Sequence, residues 1–294
     1  MQASMITQLF LPIALFIIML SVGLALTLSD FKRVLKYPRA IFFGITAQFF
    51  LLPLLGIWVV WIFDLPLMLA LGLIILTLAP GGATSNAITL LARGDAALSV
   101  SLTALLSVVT PFTLPLMTAL LLKVTLDDDV SIAFPVGQAL MQMLLITLVP
   151  VLLGMVLRHH YLAITQRIEK SIRRLAFLLM VATVIMLVVS RWPMLMQVLP
   201  VLYLPVFTLV LLAMLMGYAV AVMGRLDDPQ RVSLTIEVGL QNAGTALLVT
   251  GALLQNAEMS ASALTYGVLM QLPAFALIAW RNRDVFIRQA RVMT

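Results

Sequence analysis

LAPGGATSNAITLLARG, residues 78–94, interrupts an apolar run with a proline, two adjacent glycines and the polar triplet Thr84, Ser85 and Asn86. Each of these residues weakens or breaks a helix. The surrounding chain is 63% hydrophobic and 10% charged over 294 residues, with a mean hydropathy of +1.13. That composition lies outside the range of soluble domains and specifies an all-α polytopic membrane protein, one transmembrane domain over residues 1–294. At membrane depth, non-helical backbone is tolerated only where it is buried in protein or lines a wet cavity. The interruption is therefore read as a functional break in a spanning helix.

Apolar runs fall at about 6–28, 38–63, 67–92, 96–122, 132–157, 172–190, 199–223, 230–255 and 261–280, nine crossings at about 20 residues each. The opening MQASMITQLF has no basic residue ahead of its apolar run and is read as a retained helix, not a leader. Counting Lys and Arg orients the chain. With the N-terminus outside and the C-terminus in the cytoplasm, all of the 18 basic residues except Lys123 and Arg191 fall on the inner side, a strong positive-inside bias. A net charge of +6 therefore needs no nucleic acid partner. Asp64 and the triplet Asp127, Asp128 and Asp129 then face outward as solvated loop charges.

The eighth run carries a second interruption, TIEVGLQNAG, residues 235–244. The third and eighth crossings run in opposite directions. That offset is what inverted five-helix repeats give when the first helix is missing.

Glu237 is the acid placed well inside a run, whereas the others of the 12 acidic residues lie in loops or near run ends. A carboxylate at that depth is costly unless a cation or donors compensate it. Gln241 and Asn242 add amide oxygens beside it. Ser85 and Asn86 supply oxygens at the first break, and Ser99 and Thr103, at i and i+4, put two hydroxyls on one helix face. One carboxylate with neutral oxygens, in a chain with no cysteine, suits Na⁺ better than Zn²⁺, copper or Ca²⁺. No nucleotide-binding loop or hydrolase motif occurs, so the expectation is a non-enzyme without nucleotide or organic cofactor.

APGGATSNAITLLARGDAALSV together with TIEVGLQNAG resembles the bile acid:sodium symporter family, bacterial members in particular, across essentially the whole chain. The resemblance implies two discontinuous helices that cross near the midplane. It further implies a core domain of helices 38–63, 67–92, 96–122, 199–223, 230–255 and 261–280 against a panel of 6–28, 132–157 and 172–190. Two sodium ions are implied, one at Ser85, Asn86, Ser99, Thr103 and Glu237, the other at Gln48, Glu237, Gln241 and the carbonyls near Val238 and Leu240. Thr84, Asn242, Ala243, Met270 and Gln271 are then expected to contact a small organic anion. Where some bile-acid-binding relatives place His-Asn, this chain has Met270 and Gln271, so a smaller carboxylate such as pantoate stands beside bile acid as the expected cargo. The expected setting is the lipid bilayer of a bacterial inner membrane. The alternatives are a proton-coupled carrier or exchanger of the same fold and a membrane sensor that does not transport.

Overall fold

A computed structural model describes residues 6–126 and 134–283. Asp127, Asp128, Asp129, Arg288 and Arg291 lie outside the described residues. In chain order the helices are α1 (Gln8–Ala25), the short α2 (Leu28–Arg33), α3 (Pro38–Ile62), α4 (Leu67–Thr77), α5 (Ala83–Leu91), α6 (Ala96–Thr125), α7 (Val136–His160), α8 (Leu162–Ser190), α9 (Trp192–Met223), α10 (Asp228–Gly239), α11 (243–253) and α12 (Ala257–Arg281). No strand occurs among the described residues.

Eight stretches are long and apolar enough to cross a membrane, α10 and α11 counting as one. Among the described residues the ninth crossing expected from the sequence is α4 followed by α5, 11 and 9 residues long, each too short to span alone. Two helices, α8 and α9, start well ahead of their apolar runs. The basic segment 162–174 is the first part of α8, where Glu169 pairs with Arg173 one turn on and with Arg158 of α7. α9 starts at Trp192 because Pro193 falls in its first turn, where a missing N–H costs nothing.

The two breaks have different local causes. Pro80 lacks an N–H and biases Ala79 away from helical backbone, so α4 ends and α5 restarts after Gly82. At the second break Asn242 caps α11, its Oδ1 accepting from the Thr245 amide at 3.1 Å. No glycine among the described residues has positive φ. Gly239 is instead needed for close approach: a Cβ there would lie 2.2 Å from Met214 Cγ.

The same landmarks recur at a spacing of about 160 residues, the pattern of an internal repeat. Asp64 and Arg225 both have positive φ, as do Arg93 and Gln255. Asp95 caps α6 by accepting from Leu98 N, and Asn256 caps α12 by accepting from Met259 N. α4 and α10 start at matching positions, as do α5 and α11. α1, α7 and α8 pack on one another, while α3, α4, α9, α10 and α12 form a second packed group with the breaks at its middle. Trp58, Trp61, Trp192 and Trp280 are exposed near helix ends, as an aromatic belt requires.

Candidate functional site

The breaks touch. Asn242 N donates to Ala79 O at 3.0 Å, a carbonyl that the interrupted α4 leaves free. The Tyr266 hydroxyl of α12 donates to Gly239 O at 2.9 Å, capping the end of α10. At the far ends of these helices, Asp95 N donates to Pro229 O, and Ser233 Oγ reaches Asp95 O. Arg281 and Asn282 donate to Ala92 O and Leu91 O, the last carbonyls of α5.

Glu237, 2% exposed, lies behind this junction at the end of α10. Ser85 Oγ donates to its Oε2 at 2.9 Å and Thr103 Oγ1 to its Oε1 at 2.9 Å, with Ser99 Oγ 3.2 Å from Oε2. Asn86 Oδ1 lies 2.7 Å from Ser99 Oγ and 3.1 Å from Thr103 Oγ1, and Ser85 Oγ is also 2.7 Å from Gly82 O. The five residues of the first expected sodium site thus meet in one cluster. Other hydroxyls on α6, those of Ser101 and Ser107, bond back to a carbonyl four residues earlier, the usual choice in a helix. Ser99 and Thr103 do not.

That cluster holds more acceptors than protons. Each of the three hydroxyls stands within hydrogen-bond reach of two acceptor oxygens but carries one proton. A hard cation among these oxygens would satisfy the surplus, so the donor set fits Na⁺.

Gln48 joins from α3, where the chain forms a π-turn over Ala47–Leu51 just ahead of Pro53. Proline removes the N–H that would close an ordinary turn there. Gln48 Nε2 donates to Gln241 Oε1 at 2.8 Å, and Gln241 Nε2 donates to Val238 O at 2.8 Å. Gln48, Val238 and Gln241 are therefore together, and Leu240 follows on the same break with its N–H bonded to Ile236 O.

Against the junction a cavity of about 110 Å³ opens between α1, α8 and α12, and Ser85 and Gln241 reach it from the clusters above. Thr84, Asn242, Ala243, Met270 and Gln271 all line it. No Lys or Arg does so among the described residues. The N-termini of α5 and α11 meet it, where the first amides of a helix lack intrahelical partners and carry partial positive charge. His159 and His160, at the end of α7, sit edge to face with ring centroids 5.0 Å apart, remote in the chain from these groups.

Sequence reasoning missed Tyr266. Its signal was a phenol in an otherwise apolar run, since a buried tyrosine hydroxyl needs a partner. Tyr266→Phe leaves Gly239 O buried and without its donor, and should lower stability by about 1–3 kcal/mol. Thermal unfolding in detergent checks this, and an unchanged midpoint would refute it.

The family model for the sodium bile acid symporter family matches residues 12–198, which include the first break, Gln48, Ser99 and Thr103. Relatives extend the similarity across the second. An uncharacterised sodium-dependent transporter of Bacillus subtilis, YocS, is 28% identical over 93% of this chain and 79% of its own length. A probable chloroplastic sodium/metabolite cotransporter of rice, BASS2, is 29% identical over 95% of this chain, which spans 65% of that protein. The human P3 protein is 30% identical over 82% of this chain, which spans half of that protein's length. With the breaks, the oxygen cluster and these similarities in agreement, the chain belongs to the sodium bile acid symporter family, a family of sodium-dependent transporters.

Proposed function

We propose that the protein is a sodium-coupled symporter of a small organic anion that works by alternating access. The observation that carries this reading is the surplus of acceptor oxygens around Glu237, directly behind two touching helix breaks. One sodium ion is held by Ser85, Asn86, Ser99, Thr103 and Glu237, and a second by Gln48, Gln241, Glu237 and the carbonyls near Val238 and Leu240. Sodium offsets the buried carboxylate and fixes the breaks, so that the amide ends of α5 and α11 present positive charge to the cavity. The anion then binds beside Thr84, Asn242, Ala243, Met270 and Gln271. A lining without Lys or Arg and a space of about 110 Å³ favour a small carboxylate such as pantoate over a bile acid.

The moving core contains α3 to α6 and α9 to α12, and the panel contains α1, α7 and α8. The packing of α1 on α7 and α8 supports this division, and the recurrence of turns and caps supports inverted repeats. The N-terminus is outside and the C-terminus inside, in a bacterial inner membrane, as the basic residues favour.

Binding of radiolabelled sodium to purified protein at fixed pH and ionic strength tests the proposal without knowledge of the cargo. Saturable binding is expected, with pantoate accumulation in vesicles under an inward sodium gradient. Absence of saturable binding would overturn it, and uptake that follows pH while ignoring sodium would assign Glu237 a proton instead.

A further inference from the structure

A second, smaller chamber of about 20 Å³ meets the junction elsewhere. Pro80, Gly81, Asn242 and Thr245 reach it from the breaks, Ser107 and Thr110 from α6, and Met143 and Thr147 from α7. It has room for about one water. Thr110 is 6% exposed, and its hydroxyl has no hydrogen-bond partner among the described residues. Its neighbours Ser107 and Thr147 bond back to helix carbonyls in the ordinary way. A buried hydroxyl left without a partner is costly where a valine would pack as well, and of the three threonines in that position, Thr89, Thr110 and Thr118, Thr110 is the one that faces a polar chamber. Pro111 follows directly, so the Ser107 carbonyl also lacks its helical amide.

The chamber and the larger cavity are counterparts. The spacing of about 160 residues that relates the turns and caps takes Ser107 to Val268, Thr110 to Gln271 and Ser85 to Thr245. Ser107, Thr110 and Thr245 line the chamber, while Val268, Gln271 and Ser85 line the cavity. The two halves thus build the same kind of space, small in one and larger in the other. An exchange of conformations between the halves would shrink the cavity and enlarge the chamber. The chemistry is not exchanged with the shape: the chamber offers three hydroxyls, the cavity one hydroxyl, an amide and a valine at the matching places.

We propose that the chamber is a second seat for the transported carboxylate, occupied in the oppositely facing state, with the hydroxyls of Thr110 and Thr245 donating to it and that of Ser107 turning from the Thr103 carbonyl to join them. The proposal rests on the transport reading above and adds the residues that hold the cargo in the conformation not seen here.

The chain has no cysteine, so single cysteines report access without background. Thr110→Cys and Val268→Cys are placed separately in vesicles and labelled with an anionic methanethiosulfonate, once in sodium and once in potassium. Radiolabelled sodium binding is measured on the wild type and each variant. Sodium that favours one facing state should change the two labelling rates in opposite directions, each by about tenfold. Ser107→Cys serves as a second reporter of the chamber and should follow Thr110→Cys. With sodium binding intact, chamber cysteines that stay unreactive in both ions, or that change in the same direction as Val268→Cys, would overturn the chamber alone. Failure of the wild type to bind sodium would overturn the transport reading and this inference with it.

Discussion

Glu237→Gln should remove sodium binding, weakening it by at least about 100-fold, and coupled uptake should fall with it. The replacement keeps the shape of the side chain. An amide oxygen can still accept from one of the three hydroxyls, and a hydroxyl can turn to accept from the amide nitrogen. The packing around the end of α10 is thus preserved. What is lost is the single negative charge among Ser85, Asn86, Ser99 and Thr103, contacted at 2.9 to 3.2 Å, and at this burial no water replaces it. The variant should be no less stable than wild type without sodium, because an uncompensated carboxylate at that depth is itself costly. Wild type should gain stability as sodium is added, by about 2.7 kcal/mol at 100 times its dissociation constant, and the variant should gain nothing. Thermal unfolding across a sodium titration, with potassium holding ionic strength, measures both. A variant whose midpoint still climbs with sodium would refute the assignment of Glu237.

The legible part of this site is the part written in composition. Pro80, Gly81 and Gly82 announce a break because nothing in an apolar run otherwise calls for them, and Glu237 stands out because a carboxylate does not belong there. Ser99 and Thr103 announce a shared face through their spacing. Gln48 was reached through the family resemblance, and the π-turn that aims it arises from Pro53 and is visible only in the backbone. Tyr266 and the bond from Asn242 N to Ala79 O depend on which helices lie side by side, which no local pattern encodes. α8 starts ahead of its apolar run because an apolar count ends where the polar residues begin, whereas a helix held by Glu169 and its arginines continues through them. The recurrence at about 160 residues is similar: side chains differ between the matching positions, while the left-handed residues and caps coincide because the turns need them.

Gly81→Ala tests whether the contact between the breaks sets the sodium affinity. A Cβ at Gly81 would lie 3.0 Å from Leu240 O, 3.1 Å from Glu237 Oε1 and 3.1 Å from Ser85 Oγ. All three distances are shorter than ordinary contact, and all three atoms belong to or adjoin the proposed sodium sites. Ser85 can turn its hydroxyl aside, but Leu240 O is backbone held by the break. The methyl group must therefore either part the two breaks by a few tenths of an ångström or push the carboxylate out of the cluster. Overpacking of this kind costs about 1–3 kcal/mol, here charged mostly to the cation-binding geometry, so sodium affinity should fall by about tenfold or more. Gly137→Ala is the matched control, since a Cβ there meets nothing within 4 Å, and it should bind sodium as wild type does. Equal affinity in both variants would mean that the crossing yields without disturbing the oxygens, and the breaks would then orient the amide ends toward the anion without tuning the cation. A loss confined to Gly81→Ala, with uptake reduced in the same proportion at subsaturating sodium, would tie the close approach of the two broken helices to coupling itself.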